Sequence, residues 1–188
     1  MNYDDMFSFV EKKLKENNGN DSYKEHQTFR KRIEHIKRVY KWAEIISEGL
    51  DVNMVALKMA VIFHDSGYAY QKHGHAQRGK EIFLEYAKEK NYPKELVDYV
   101  GYLILNHSDK SLLNSDSPIE LILLLEADLL DEEGALKILW DAMCIGDKGA
   151  NSYLDGYNEI ISFSGRILNQ SPMVTEKSKK IWEEKNAL

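Results

Sequence analysis

Two aspartates and a histidine of this chain stand where a helical protein would bury them. His64 and Asp65 directly follow the most apolar stretch of the sequence, residues 55–63. Asp128 lies three residues after Leu125 in the run ELILLLEADLLDE, so a helix places it on an apolar face. Because an unpaired buried charge is very costly, such a carboxylate requires a cation or several hydrogen bonds.

His35 is a further candidate ligand, and it comes from a different predicted helix. It lies beside the apolar positions 36 and 39 of a stretch with helical periodicity. Two imidazoles and two carboxylates would form a mixed nitrogen and oxygen site. Such a site accepts divalent Mn, Fe, Co, Ni, Zn or Mg, and the ligand types do not choose among these metals.

Each of these residues alone has an ordinary structural explanation. His35 could be a semi-buried histidine at the edge of an apolar face. His64 and Asp65 could end a helix, where the dipole favours histidine and the turn favours aspartate. Asp128 could cap a neighbouring helix or pair with an arginine. Separate explanations do not account for the order in which the four residues occur.

The order His35, His64-Asp65, Asp128 resembles the HD superfamily of metal-dependent phosphohydrolases, whose pattern is H…HD…D on a bundle of helices. The flanking segments EHIKRV, AVIFHDSGY and LLEADLLDEEGA are similar to the motifs of that family. The resemblance covers about residues 30–145. It implies a divalent metal site, with one or two ions, in which these four residues are the ligands.

The resemblance also implies a reaction, the hydrolysis of a nucleotide or another small phosphate ester by metal-activated water. The candidate catalytic residues are Asp65, His107 and Asp131. Asp131 lies three residues after Asp128, so the two share a helix face, and it could orient a ligand or a water.

Four residues are candidates to bind substrate phosphate or a second metal: His75, His107, Arg38 and Lys110. Histidines at the positions of His75 and His107 have these roles in related families. The sequence departs from the family at Lys80 and in the segment EEGALKILWDAM, which concerns the substrate pocket more than the metal. A metal-binding regulatory or ligand-binding module without turnover therefore remains the alternative.

The composition restricts the partners. The chain has 188 residues, with 43% hydrophobic and 30% charged residues and a net charge of -6. This acidic balance argues against a nucleic-acid duplex or an anionic membrane, and the apolar runs are too short to span a bilayer.

One cysteine, Cys144, excludes an intramolecular disulfide. With no signal peptide pattern at the N-terminus, we predict a cytoplasmic protein with a small phosphorylated substrate. The sequence leaves a homodimer open.

The predicted fold is an all-α HD-domain bundle of about eight or nine helices, forming a single domain over residues 1–188 with flanking helices at both ends of the motif-bearing core. Helical periodicity dominates and strand signals are few. The predicted helices cover about residues 3–16, 22–48, 52–64, 75–90, 93–107, 118–130, 133–145, 151–168 and 173–186.

Overall fold

The computed structural model describes residues 1–16, 31–147, 149, 152–164 and 171–187, and these residues confirm the all-α fold. They form nine helices: α1 (Tyr3–Glu16), α2 (Arg32–Ser47), α3 (Met54–Phe63), α4 (His75–Lys88), α5 (Lys94–Asn106), α6 (Ile119–Asp131), α7 (Ala135–Asp147), α8 (Tyr153–Ser164) and α9 (Glu176–Asn186). Short 3-10 helices occupy Ser66–Ala69 and Lys110–Leu112. The first part of the predicted helix 22–48 and the end of the predicted helix 151–168 lie outside the described residues. No helix among those described combines the length and the apolar character that crossing a membrane requires.

Helix α3 is central because it is apolar on nearly all sides. Seven of its ten residues are buried, and it packs against α1, α2, α5 and α6. The Asn53 side chain caps its first turn by accepting a hydrogen bond from the Ala56 backbone N–H at 3.0 Å. Since the opposite end of α3 lies inside the bundle, the residues that follow it, His64 and Asp65, are delivered into the interior.

Helix α6 is the second buried helix, and it packs against α2 and α3. All residues from 120 to 127 are buried, including two glutamates. One of them, Glu120, accepts hydrogen bonds from the Asn53 backbone N–H at 2.7 Å and from the Tyr99 hydroxyl at 2.5 Å. The Glu120 carboxylate thus joins α6 to the start of α3 and to α5.

The second buried glutamate, Glu126, holds the C-terminal helix in place. Its Oε1 accepts from the backbone N–H groups of Val174 at 2.6 Å and Thr175 at 2.8 Å. Its Oε2 accepts from the hydroxyls of Thr175 at 2.6 Å and Ser178 at 2.7 Å. Glu126 therefore caps the N-terminus of α9 from another helix and fixes α9 against the helix that carries Asp128.

Helices α7 and α8 contact each other and leave many large apolar side chains exposed. On α7 these are Leu136, Ile138, Leu139 and Met143, and on α8 they are Tyr153, Leu154, Tyr157 and Ile161. This helix pair therefore differs from α3 and α6, most of whose apolar residues are buried.

Replacing Glu126 with alanine is expected to lower the free energy of unfolding by about 2–4 kcal/mol, because four donors lose their acceptor and a void remains. Glu126→Gln keeps the shape and one acceptor oxygen, so its cost should be smaller. Urea unfolding followed by circular dichroism measures both. Glu183→Ala, on the exposed side of α9, is the control. An unfolding midpoint of Glu126→Ala equal to that of the control would contradict the capping role.

Candidate metal centre

The structure brings the four predicted ligands together in the interior, from α2, the end of α3 and α6. The Nε2 atom of His35 lies 3.2 Å from Asp128 Oδ1 and 3.4 Å from Asp65 Oδ2. The Nε2 atom of His64 lies 3.6 Å from the same Asp65 oxygen and 3.9 Å from the same Asp128 oxygen. Both imidazoles are fully buried. Two ring nitrogens and two carboxylate oxygens therefore surround one small volume.

The backbone at the end of α3 determines how His64 is oriented. His64 is still helical, and its Nδ1 lies 2.7 Å from the Val61 carbonyl oxygen, which makes Nδ1 the donor. In the neutral ring, Nε2 then carries the lone pair, and it faces Asp65 and Asp128. This buried Nε2 has no hydrogen-bond partner among the described residues. An unsatisfied lone pair between two carboxylates is what a metal-binding nitrogen requires.

Two further histidines, His75 and His107, lie on the other side of Asp65. Their Nδ1 atoms contact the carbonyl oxygens of Lys72 at 2.9 Å and Ile104 at 2.7 Å, so Nδ1 is again the donor. Their Nε2 atoms lie 3.1 Å apart and 3.5 and 3.3 Å from Asp65 Oδ1. Two facing lone pairs at this distance repel each other unless a proton or a cation lies between them.

Asp65 thus stands between two groups of nitrogen atoms. Its Oδ2 faces His35 and His64, and its Oδ1 faces His75 and His107. Two sets of three residues have donor atoms within 4.8 Å of one another. The first set is His35, His64 and Asp128, and the second is His64, Asp65 and His107. These residues could hold one divalent ion, or two ions that share the Asp65 carboxylate.

Asp131 and Arg38 lie on the Nδ1 side of His35, opposite the Nε2 edge that faces the other predicted ligands. Asp131 Oδ2 is 2.7 Å from His35 Nδ1, the edge of the ring opposite Nε2. Arg38 donates to both oxygens of Asp131, from Nε at 2.7 Å and from Nη2 at 2.9 Å. The structure therefore places Asp131 where it orients His35, and it places the Arg38 guanidinium on Asp131.

Two cations lie at the rim of the cluster. Lys110 Nζ is 2.8 Å from Asp128 Oδ2, and Arg32 Nη1 is 2.7 Å from Asp65 Oδ2. The guanidinium of Arg32 also lies 4.0 Å from the ring centre of Tyr68, which stacks on His75 at 4.2 Å. Our sequence reasoning included Lys110 but missed Arg32. The available signal was its position three residues before His35, on the same face of the helix.

The protonation states of His64, Asp65 and Asp128 match those of metal ligands. Burial lowers the pKa of His64 to about 4, so that its ring is neutral at pH 7. Burial alone would raise the pKa of Asp65, but electrostatic interactions with Arg32 and with His64, which is protonated at the low pH where Asp65 titrates, hold it well below the usual value. The pKa of Asp128 is also held low against burial, by Lys110 first and then by His35. Neutral imidazole and ionised carboxylate are the forms that bind metal.

His35 shows that this cluster requires positive charge. Burial would lower its pKa, but hydrogen bonds with Asp128, Asp131 and Asp65 outweigh burial and raise the pKa to about 10. A protonated imidazole thus compensates the surrounding carboxylates. A divalent cation beside the ring would supply the same compensation and displace the proton from Nε2, so the donor set fits a metal.

Comparison with known proteins gives a match in sequence and a likeness in fold. The sequence pattern of the HD domain matches residues 32–133, which is more than half of the chain and includes all four predicted ligands. Among curated proteins, none matches the sequence.

Solved structures show the same fold. The chain is similar to Lin1889 from Listeria innocua, with a TM-score of 0.65 and 21% identity over 100% of this chain and 91% of that one. It is similar to Bacillus subtilis YpgQ in complex with ADP, with a TM-score of 0.65 and 22% identity over 99% and 91% of the two chains. For an HD-superfamily hydrolase from Bacillus thuringiensis, the TM-score is 0.65 and the identity 21%, over 95% and 89%. Together with the match over residues 32–133, the helical fold and the ordered histidines and aspartates show that the chain belongs to the HD domain family.

Proposed function

We propose that this chain is a phosphohydrolase that cleaves a nucleotide or another small phosphate ester at a centre formed by His35, His64, Asp65 and Asp128. The observation that carries the proposal is the buried Nε2 atom of His64, which faces two carboxylates and has no hydrogen-bond partner among the described residues. Membership of the HD family and the likeness to an HD-superfamily hydrolase support the reaction class. The ADP bound to YpgQ supports a nucleotide as substrate.

A divalent ion bound here would polarise a phosphoryl oxygen and lower the pKa of a coordinated water. The chain itself would supply the binding and orientation. Asp65 and Asp128 would each present one oxygen to the ion, while Lys110 and Arg32 neutralise the carboxylates from the rim. The same two cations would attract the phosphate of a substrate, because they lie beside the ligand oxygens.

His75 and His107 would act on the opposite side of Asp65. Their Nε2 atoms are aimed at one point because the backbone fixes Nδ1 as the donor in each ring. They could bind a second ion or, when protonated, donate hydrogen bonds to phosphoryl oxygens. A cytoplasmic location belongs to the same proposal.

Metal binding is the first test. A saturating concentration of Mn²⁺ is expected to raise the melting temperature of the wild type, since an ion at about 100 times its Kd stabilises the folded state by about 2.7 kcal/mol. His64→Ala should lose this rise, and metal analysis of the purified protein should find less bound ion. His73→Ala, an exposed loop histidine, is the control. An equal rise in wild type and His64→Ala would contradict the assignment of His64.

Catalysis is tested by phosphate release from nucleoside mono-, di- and triphosphates and from artificial esters, with each of several divalent metals. We expect Asp65→Asn to reduce release at least about 100-fold, because removing one electrostatic partner of a transition state commonly costs this much. Asp116→Asn, in an exposed loop, should behave as wild type. Metal binding without release from any ester would contradict the hydrolase and favour the regulatory module.

Asp131 is expected to act through His35 and not through the substrate. Asp131→Asn removes the charge behind the imidazole, and loss of such a partner typically weakens metal binding by about 10–100-fold. Calorimetric titration with Mn²⁺ measures the change, and the surface variant Asp98→Asn is the control. Restoration of activity at high metal concentration would agree with a positioning role. An unchanged metal Kd combined with a lower kcat would contradict it.

A further inference from the structure

Helix α7 has the composition of a buried helix but lies at the surface. Apolar residues occupy most of its circumference, and the charged side chains of its first two turns, Lys137 and Asp141, pair with each other at 2.7 Å. A helix that is apolar on most sides normally lies in a core, as α3 does. None of residues 135–146 is buried, however. The described part of the chain therefore leaves the apolar surface of α7 largely uncovered.

Helix α8 has the same property. It packs on α7 and makes few contacts with the other helices described. Leu154, Tyr157 and Ile161 recur at the spacing i, i+3, i+7, so they form an apolar stripe along one side of the helix, the α8 stripe. These side chains keep 64%, 60% and 45% of their surface exposed.

An equivalent stripe, the α7 stripe, consists of Leu136, Leu139 and Met143. These residues have the same spacing, and they are 45%, 57% and 40% exposed. They border a cavity of about 470 Å³ between α7 and α2, so α2 does not cover them. Two neighbouring helices thus each present an apolar stripe that gains free energy when another apolar surface covers it.

The amount of exposed apolar surface is close to what an interface between two chains requires. Besides the two stripes, Tyr153 at the start of α8 is fully exposed. These seven side chains leave about 600 Å² uncovered, taking about 200 Å² for a whole aromatic and about 120 Å² for a whole aliphatic side chain. Each partner of a stable interface of standard size buries about 800 Å², part of it polar.

A second copy of this chain is a partner that fits these stripes. In a dimer with a two-fold axis the same surface of both copies meets, so that surface must be complementary to itself. The stripes contain no charged residue, and Lys137 and Asp141 beside them carry opposite charges. Two copies can therefore approach there without repulsion, although each has a net charge of -6. Two helix pairs that pack together form a four-helix bundle, a common arrangement of apolar helix faces.

We propose that two copies of this chain associate through α7 and α8, with the α7 and α8 stripes of one copy packed against those of the other. The inference does not depend on the proposed function, because none of the four proposed metal ligands lies on these helices. The segment 17–30 has only two large apolar side chains, Tyr23 and Phe29, and supplies too little apolar surface to cover both stripes instead.

Sedimentation velocity of the full chain, at concentrations from about 1 µM upward, tests the proposal, since interfaces of this size have a Kd of about 1 µM or tighter. Wild type should sediment with twice the mass of the chain. Leu139→Glu and Leu154→Glu each place a charge within an apolar stripe, so each should weaken the dimer at least about tenfold. Leu84→Glu, at a 39% exposed position of α4, is the matched control and should leave the dimer intact.

A second measurement locates the interface without any variant. Amide hydrogen exchange in α7 and α8 of wild type should slow as the concentration rises through the Kd, while exchange in α4 should not change. Circular dichroism checks that each variant keeps its helices. Tyr157→Ser makes a milder change in the α8 stripe and replaces a glutamate variant that does not fold.

Several results would overturn the inference. A wild type that stays monomeric at every concentration excludes the dimer. A dimer that persists in Leu139→Glu and Leu154→Glu, or that is lost equally in Leu84→Glu, excludes the assigned surface. Association that continues to ever larger species excludes the two-fold arrangement, because such an interface closes after two copies.

Discussion

The structure depends on the compensation of negative charge inside a helical bundle. Asp65, Asp128 and Asp131 all contact His35, which has no exposed surface. Several carboxylates around one buried ring are tolerated only with positive charge nearby. Arg32, Arg38 and Lys110 each pair with one of these aspartates. The negative charge that these pairs leave uncompensated lies at the centre of the cluster, and the raised pKa of His35 reflects it.

Helix α6 shows how the fold meets this constraint while remaining a packing element. Its leucines fill the core, and its four buried or half-buried acids have different partners. Glu120 and Glu126 hold the starts of α3 and α9, Asp128 faces the candidate ligands, and Asp131 supports His35. Because the same helix makes all these contacts, Glu120 holds the start of α6 to the start of α3, while Glu126 and Asp131 hold the part of α6 around Asp128 to α9 and α2.

The sequence could predict those residues of the site that are marked by an apolar pattern or by the order of the motifs. The apolar run before His64 and the leucines around Asp128 require burial, and the ordered motifs add His35.

The position of Asp131 behind His35 could not be read from the chain, because helical spacing places it near Asp128 without showing which edge of His35 it contacts. Arg32 was missed because its contact with Asp65 joins the start of α2 to the turn after α3, and sequence spacing does not show which residues of the two segments meet. Glu126 received no role, since its donors are some 50 residues away in sequence and the loop before α9 determines where they lie. Residues 17–30 are outside the described structure, so the predicted start of the second helix remains a prediction.

The two-sided contacts of Asp65 have a thermodynamic consequence. One carboxylate faces His35 and His64 with Oδ2, and His75 and His107 with Oδ1. A ligand that draws charge from one oxygen changes the basicity of the other and fixes the rotation of the group. Occupancy on one side would therefore be linked to occupancy on the other, and the linkage would be reciprocal: each binding event would alter the affinity of the other by the same factor.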